Sequence, residues 1–426
     1  MGHVIKTSGG GFRARWRDPA GKQMSKSFPT KREANAFLAE IETTMNRGTY
    51  VAPNAGKLRF CVYVKRWVAG RGLTDRAMER TTSILRNHLL PKWGQWPIGG
   101  IDHLSVQEWV TELGKTLAPA TVGKCFGTLR GILRSAVRAR LIVVDPTDGV
   151  TAPSTYQPRP TTATISRHAF LTTLLPAVPL DHRAIVAAGA GAGLRWGEAA
   201  GLPWGAVDLA RQELHIAQVA VETATEVTLR AYPKSRAGVR TVPLPDFLAR
   251  EIEAHRELTV GDVNPHPSAL AFPTRHGTPQ RRSNFRRQVW RPALVRAGLL
   301  GEVAERGQGR WHAFWPDGTG LVQAREFPTE REAVAHVAQH AVGGLRFHDL
   351  RHSYATWLVS DGVPINIVQT VMGHEQASTT LNRYTHTPDG HRQRVRDALN
   401  GSAPSSLPPE GGQGGPGGAP VTDDRL

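Results

Sequence analysis

The sequence has few cysteines and no long apolar run. Only Cys61 and Cys125 occur among 426 residues, far apart and each in an apolar stretch. Two such thiols predict small buried hydrophobic side chains in a reducing compartment, without a disulfide or zinc framework. No apolar stretch approaches the ~20 residues needed to span a bilayer. The N-terminus lacks the apolar region of a signal peptide and Lys6 breaks the myristoylation pattern, so we expect a cytoplasmic protein without membrane contact.

Acidic residues are outnumbered, most strongly in the first part of the chain. The sequence carries 53 Lys+Arg against 36 Asp+Glu, a formal net charge of +17. Residues 1–50 contribute +5 and residues 51–150 contribute +8, whereas the remaining residues together contribute +4. This distribution suits a polyanionic partner, because each neutralised phosphate releases counterions. A basic protein with solvated charged faces would have the same composition, so charge alone favours nucleic acid only slightly.

The first 50 residues predict a small β-sheet followed by a helix. Apolar and cationic residues alternate from Phe12 to Arg17, which is the period of a strand with two unlike faces. Thr30 and Glu33 fit a capping box at the start of the helix. The cationic face could lie in a major groove, which admits a β-ribbon, or could simply be solvated. Its members are Arg13, Arg15 and Arg17.

Residues 57–150 predict a helical domain, and residues beyond 400 predict a disordered tail. Apolar residues recur at helical spacing in blocks at 60–68, 78–90, 105–113 and 121–139. The last block has an apolar face and a cationic edge that suits a helical DNA clamp or a solvated bundle helix. The cationic edge consists of Lys124, Arg130, Arg134 and Arg138. Residues 401–426 are rich in Gly, Pro and Ser and carry a net charge of −2.

An ungapped internal repeat links residues 10–34 with residues 309–333. A shift of 299 positions places Trp16 on Trp315 and Thr30 on Thr329, along with matching turn and cap residues. Such a match predicts a second copy of the sheet–helix module, inserted at residues 303–342 of a catalytic domain that spans residues 160–400. The copy has no cationic face, since His312, Phe314 and Pro316 replace the three arginines. We expect it to contact protein, or DNA only weakly.

Chemically reactive residues are spread over the second half of the chain, and each is ambiguous alone. His348 and His352 have a spacing that could ligate zinc, but no glutamate completes the metalloprotease pattern. The glycine-rich stretch at 189–193 lacks the preceding strand and the later acidic residue of a dinucleotide site. We interpret it as helix packing that leads to Arg195. A lone Tyr384 would more often be a packed tyrosine than a nucleophile.

Taken together, these motifs resemble the signature set of the tyrosine recombinases, the phage integrase family. The resemblance covers about residues 58–400, and residues 1–50 are similar to the arm-type DNA-binding module of such integrases. The insert at 303–342 departs from the usual pattern. The motifs are Gly193–Trp204, Pro233–Leu244, His348–Thr356, Met372–His374 and Asn382–Tyr384.

The resemblance implies a metal-independent reaction without a cofactor. Tyr384 would attack the scissile phosphate and form a 3′-phosphotyrosyl link. Arg195 and Arg351 would clamp the non-bridging oxygens, and His374 would donate a further hydrogen bond. His348 would act as the base toward the phenol.

Two further roles follow from the same resemblance. Lys234 would protonate the leaving 5′-oxygen. Arg236 and Arg240 are nearby rivals for this task, but arginine holds its proton too tightly to be a good acid. Glu198 would orient Arg195 from behind, or else form an ordinary helix salt bridge.

The implied architecture is multidomain. A small sheet-plus-helix module precedes a helical, SAM-like core-binding domain and a mainly α catalytic domain with a small β-sheet. The implied partners are double-stranded DNA at attachment sites, three further copies of the chain, and possible accessory factors such as an excisionase and a DNA-bending host protein. The implied function is the integration, and excision, of a phage or other mobile element.

Other functions remain open at this point. A dimer-resolving recombinase shares the chemistry but usually lacks an arm module. A catalytically silent DNA-binding regulator would be indicated by substitution of Arg195, Arg351 or Tyr384, and all three are present. A type IB topoisomerase is disfavoured by the arm module, and a metal-dependent nuclease by the lack of a carboxylate pair.

Overall fold

The computed structural model divides the chain into two compact units. The first comprises residues 1–162 with 220–228, and the second comprises residues 163–219 with 229–426. The residues whose structure is described are 2–153, 163–231, 238–261, 263–307 and 309–373.

The first unit begins with a three-stranded sheet and continues as helices. The sheet and its helix are β1 (His3–Lys6), β2 (Phe12–Arg17), β3 (Gln23–Phe28) and α1 (Lys31–Asn46). The helices that follow are α2 (Phe60–Ala69), α3 (Asp75–Ile84), α4 (Leu90–Trp93), α5 (His103–Thr116) and α6 (Pro119–Arg138).

The second unit is mixed, with helices around small sheets. Its helices are α7 (Arg167–Ala169), α8 (Leu175–Ala177), α9 (Leu180–Gly191), α10 (Trp196–Ala200), α11 (Asp246–Thr259), α12 (Arg282–Phe285), α13 (Arg291–Arg296), α14 (Glu330–His340), α15 (Phe347–Ser360) and α16 (Ile365–Met372). Its strands are β4 (Val207–Asp208), β5 (Glu213–Ile216), β8 (Arg240–Pro243), β9 (Glu302–Glu305), β10 (Trp311–Pro316) and β11 (Val322–Phe327). The strands β6 (Val219–Glu222) and β7 (Val227–Arg230) form a hairpin, of which residues 220–228 belong to the first unit.

The N-terminal sheet has the two unlike faces that its alternation predicts. Its strands are antiparallel in the order β1-β2-β3. Ala14 and Trp16 are buried, and the indole of Trp16 donates a 2.9 Å hydrogen bond to the hydroxyl of Tyr50. The Thr30 hydroxyl accepts from the backbone N–H of Glu33 and starts α1. The arginines of β2 lie on the opposite face from this core.

The helical part of the first unit has its own apolar core. Aromatic residues of α2, α4 and α5 pack with the apolar face of α6, and Trp93 is completely buried. The predicted block at 121–139 therefore forms one amphipathic helix, as its spacing indicates. The predicted block at 78–90 lies within one uninterrupted helical run formed by α3, a five-residue π-helical segment (Leu85–Leu89) and α4.

The insert repeats the N-terminal module strand for strand. Strands β9, β10 and β11 begin and end 299 positions after β1, β2 and β3, and their antiparallel registers coincide. Thr329 accepts from the backbone N–H of Glu332, as Thr30 does from Glu33. Ala313 and Trp315 are buried like Ala14 and Trp16. The same residues therefore specify the same local fold in two places.

The two copies differ in how much of the helix is buried. In α1, Ala34 and Ile41 are buried, whereas α14 buries Ala333, Val334, Val337 and Ala338. One of these positions changes from polar to apolar, as Asn35 corresponds to Val334, whereas the other three are apolar in both copies. The core of the insert is continuous with that of the catalytic unit.

A buried arginine and a buried tryptophan of the catalytic unit hold the insert in place through hydrogen bonds. Arg291 of α13 donates to the carbonyl oxygens of Ala338, Ala341 and Gly343, at the C-terminal end of α14. A cation is favourable there, because the last carbonyls of a helix lack partners and carry partial negative charge. The neighbouring Trp290 donates a 2.7 Å hydrogen bond to the carbonyl oxygen of Leu345, just before α15. The insert is thus a fixed part of the catalytic unit.

The fold class expected from the sequence is confirmed by these elements. A small sheet-plus-helix module, a helical region and a mainly helical catalytic region with a small sheet follow in the expected order. The exact domain boundaries stay predictions. Within the described ranges, no helix has the length and apolar character required to cross a bilayer.

The anchoring of the insert makes a stability prediction. Arg291→Ala should lower the free energy of unfolding by about 3 kcal/mol, because several buried carbonyls are left without a charged donor. Urea denaturation measures this change. Arg296→Ala on the exposed side of the same helix is the matched control and should change the free energy of unfolding by less than about 0.5 kcal/mol. Equal effects of the two variants would contradict the anchor.

Candidate active site

Arg195 is set at the start of α10 by a glycine-dependent turn. Gly193 has φ +61°, and a Cβ there would lie 2.5 Å from a ring carbon of Tyr354. Only glycine fits this close approach in the left-handed region. The preceding glycines serve packing: a Cβ at Gly189 would lie 2.9 Å from the ring of Phe347. The stretch at 189–193 therefore packs α9 and leads to Arg195, as predicted.

A buried carboxylate, Glu198, lies at the centre of the site. Its oxygens accept the backbone N–H of Arg195 at 2.9 Å and the Nη1 of the same residue at 2.8 Å. They also accept two hydrogen bonds from Arg240, at 3.1 and 2.9 Å. Arg351 Nη1 lies 4.0 Å from Oε2. One carboxylate thus faces three guanidinium groups contributed by α10, β8 and α15.

The three arginines differ in exposure. The side chains of Arg351 and Arg240 are 1% and 4% exposed, whereas that of Arg195 is 38% exposed. Of the three guanidinium groups, that of Arg195 is therefore the most exposed to solvent. The other two are held inside the protein.

The C-terminal end of α16 supplies a second set of acceptors. Arg240 Nε donates to the carbonyl oxygen of Val371 at 2.7 Å, and Arg351 Nη2 donates to that of Met372. Arg195 Nη2 donates to that of Gly373 at 3.3 Å. Three consecutive carbonyls at the negative end of a helix therefore each accept one of the three arginines. Residue 374 follows directly in sequence.

Electrostatics keep Glu198 ionised. Its burial alone would raise the pKa, but hydrogen bonds and charge from Arg240, followed by the charges of Arg195 and Arg351, lower the pKa to about 2. Burial of so many charges is favourable only because each has partners on several sides. The cluster is thus a network in which removal of one member leaves the others uncompensated.

His348 lies one turn before Arg351, on the exposed side of α15. Partial loss of water around the ring, then the charges of His352 and Arg351, lowers its pKa to about 4. The charge of Arg195 acts in the same direction, so the imidazole is neutral at pH 7. The His348 and His352 rings meet edge to face, with centroids 4.8 Å apart. A neutral imidazole can accept a proton.

Tyr354 lies beside the buried arginines. It is 8% exposed, and burial raises its pKa to about 12 despite the charges of Arg240 and Arg351. Its phenol is held neutral in an apolar cluster with Val368 and Met372. Its environment is that of a packed tyrosine and does not activate a nucleophile.

The remaining predicted residues lie elsewhere or outside the described ranges. Lys234, Arg236, His374 and Tyr384 fall outside the described residues. The predicted DNA-binding residues of β2 and α6 belong to the first unit. On α6, Arg130 contacts Asp148 at 3.2 Å, and Arg134 contacts Asp145 at 3.1 Å.

Sequence reasoning missed two parts of the site. It treated Arg240 only as a rival acid, although Arg240, Val242 and Leu244 recur at every second position and are all buried. An arginine on the inward face of a strand signals a buried charge partner. It also missed Asp349, which accepts from the backbone N–H of Arg346 at 2.7 Å and starts α15 as Glu198 starts α10.

Among the residues whose structure is described, no group of three or more His, Cys, Asp or Glu side chains is arranged to hold a metal ion.

The chain matches known families and relatives. Residues 321–391 match the model of the phage integrase family. The chain is 26% identical over 417 residues to the prophage phiRv2 integrase of Mycobacterium tuberculosis strain H37Rv, covering 94% of this chain and 95% of that protein. It is also 26% identical to a tyrosine recombinase XerC-like protein of Caldanaerobacter subterraneus, over 49% of this chain and 46% of that protein.

A solved structure shares the fold. The Tn1549 transposon integrase, in complex with transposon right end DNA, matches with a TM-score of 0.57 and 18% identity, over 80% of this chain and 100% of that chain. Since the phiRv2 integrase matches almost end to end and the family model falls on residues that include the helix carrying His348 and Arg351, the chain belongs to the phage integrase family, the tyrosine recombinases, and is an enzyme of that family.

Proposed function

We propose that the protein is a site-specific DNA integrase that cuts and rejoins DNA through a 3′-phosphotyrosyl intermediate. The observation that carries the proposal is the Glu198 cluster. It holds three guanidinium groups in a fixed arrangement and leaves Arg195 open to solvent beside a neutral imidazole. A cationic site fixed in advance suits a phosphorane, whose charge develops during the reaction.

The two arginines of the motif divide the work by their exposure. Arg195 can reach a non-bridging oxygen from the surface of the site. Arg351 is bonded to the carbonyls of Gly193 and Met372, so it supplies fixed positive charge and sets the backbone around the phosphate. Planar guanidinium groups suit this task because they stay protonated and bind oxygens in pairs.

Proton transfer is assigned to the other motif residues. Tyr384 attacks phosphorus, the bond to the 5′-oxygen breaks, and the phosphate becomes linked to the tyrosine. His348 accepts the phenolic proton, and its low pKa keeps it free of a proton beforehand. Lys234 gives a proton to the departing 5′-oxygen, and His374 donates a hydrogen bond to the phosphate. The reverse reaction with a partner 5′-hydroxyl reseals DNA without an added energy source.

DNA is bound through the first unit. The β2 arginines present a cationic sheet face opposite the core, and that shape fits a major groove. On α6, Lys124 and Arg138 lie exposed, while Arg130 and Arg134 already contact Asp148 and Asp145. Arg130 and Arg134 must exchange these partners to reach a phosphate. The insert, which has no arginine face, is assigned to protein contact or weak DNA contact.

The proposed cellular setting follows from the relatives. The phiRv2 relative is named a prophage integrase of a bacterium, and the Tn1549 protein was solved with transposon DNA. We assign the protein to bacterial cytoplasm, where four copies act on two duplexes at attachment sites, with an excisionase and a DNA-bending factor as further partners. Integration is favoured over dimer resolution because the match to the phiRv2 integrase covers 94% of this chain, which leaves too few residues to omit the whole arm-like module.

Covalent capture tests the proposed chemistry. Wild-type protein mixed in EDTA with supercoiled plasmid carrying the DNA that flanks its gene should form an SDS-stable, protease-sensitive 3′ adduct. Tyr384→Phe should form none, because it lacks the attacking oxygen. Specific binding without an adduct, even on nicked substrates that trap cleavage, would favour the regulator interpretation.

Arg195 makes a second prediction. Arg195→Lys should slow single-turnover cleavage by about 100-fold, since a lysine cannot supply the planar fork to the phosphorane. Thermal stability should change little, because the positive charge beside Glu198 remains. Arg250→Lys, at an exposed position on α11, is the control. Equal rates for the wild type and Arg195→Lys would count against the assignment.

The cationic sheet face makes a third prediction. Changing Arg13, Arg15 and Arg17 to Ala should reduce the slope of log affinity against log salt by roughly 0.9 for each phosphate that is no longer neutralised. Changing three exposed cations of the N-terminal helix and its end, Lys31, Arg32 and Arg47, removes the same charge and is the control. A filter-binding salt titration on the flanking DNA measures the slope for both variants. Equal slopes would show that the sheet face is not the DNA-binding surface.

A further inference from the structure

Arg240 is buried at the start of β8 and uses its guanidinium entirely inside the protein. Both terminal nitrogens donate to the Glu198 carboxylate, and Nη1 also donates to the carbonyl of Gly238 at 3.0 Å. Nε donates to the carbonyl of Val371. The side chain is 4% exposed. An arginine with this set of partners cannot reach a DNA phosphate without breaking the cluster.

Each partner of Arg240 leads to another element of the site. Glu198 holds Arg195 through the side chain and the backbone of that residue. Val371 is the first of the three α16 carbonyls, and the next two accept Arg351 and Arg195. Arg240 therefore joins β8, the start of α10 and the end of α16.

We propose that Arg240 is a positioning residue of the recombination reaction, which fixes the Glu198 carboxylate and the end of α16 so that Arg195 is aimed at the scissile phosphate. The inference rests on the proposed function. It differs from the role of an acid, because the guanidinium is buried and each of its nitrogens donates to a partner inside the protein.

The pH dependence of cleavage distinguishes positioning from general stability. The charged groups that face Glu198 are Arg195, Arg240 and Arg351, while His348 and Tyr354 of α15 face these arginines. Without Arg240, fewer positive charges offset the burial of the Glu198 carboxylate, so the pKa of Glu198 rises. Glu198 then becomes protonated at moderately acidic pH and no longer holds Arg195. Cleavage by the variant should then fall with decreasing pH in a range where Glu198 of the wild type stays ionised.

The experiment compares the full-length wild type with Arg240→Met, Arg240→Lys and the exposed control Arg250→Met. Single-turnover cleavage of a nicked attachment-site substrate is measured from pH 5 to pH 8, with DNA affinity against salt and thermal melting in parallel. Arg240→Met should cleave about 10- to 100-fold more slowly at pH 7, as found when side chains that orient metal ligands are removed. Its salt slope should be unchanged, and its rate should recover toward high pH. Arg240→Lys should restore part of the rate.

Several results would overturn the inference. An unchanged cleavage rate would remove any role, and a salt slope reduced by about one would indicate a direct phosphate contact instead. A rate decrease that parallels unfolding, with no new acid limb and no rescue by lysine, would indicate a merely structural residue. Failure of the wild type to cleave would count against the proposed function itself.

Discussion

The architecture of the catalytic unit depends on the buried carboxylate of Glu198. Three guanidinium groups from three different elements cannot be brought close together in a protein interior unless negative charge lies between them. Glu198 supplies a full charge, and the last carbonyls of α16 supply partial charges, so the positive groups become mutually compatible. The phosphate that we expect in the reaction then enters a site whose cations are already fixed, with no reorganisation during catalysis.

At the insert, too, a buried arginine binds the last carbonyls of a helix, but there the interaction anchors the insert. Arg291 satisfies the terminal carbonyls of α14, as the site arginines satisfy those of α16. The duplicated module kept the turn, the cap and the two buried residues that specify its fold, while its solvent face changed from arginine to His, Phe and Pro. Its helix buries more residues than α1 does, and these join the catalytic core. The repeated sequence thus forms a rigid part of the catalytic unit. This is possible because the buried residues specify the fold of the module, whereas the exposed residues determine what the module binds.

Much of this could be predicted from sequence. The N-terminal module is predicted by the period-2 alternation at Phe12–Arg17 and by the Thr30 cap, and α6 is predicted by its helical spacing. These predictions succeed because the patterns are local. The site motifs were recognisable by resemblance, but the links between them were not. Nothing local indicates that Arg240 meets Glu198, or that Arg351 reaches Met372, since both are long-range contacts. Likewise, the contacts of Arg130 and Arg134 with acidic residues depend on how the chain returns after α6.

The most direct test of this account is the stability of Glu198→Gln as a function of pH. The folded-state pKa of Glu198, about 2, lies below its ordinary value of 4.5, so its stabilising contribution is complete above 4.5 and declines as pH falls toward 2. The variant should have about 3 kcal/mol less unfolding free energy than the wild type at pH 7, because the buried arginines are left without their partner. The difference in unfolding free energy between the variant and the wild type should become smaller below pH 4.5. Equal stability at pH 7, or a deficit independent of pH, would contradict the central role of this carboxylate.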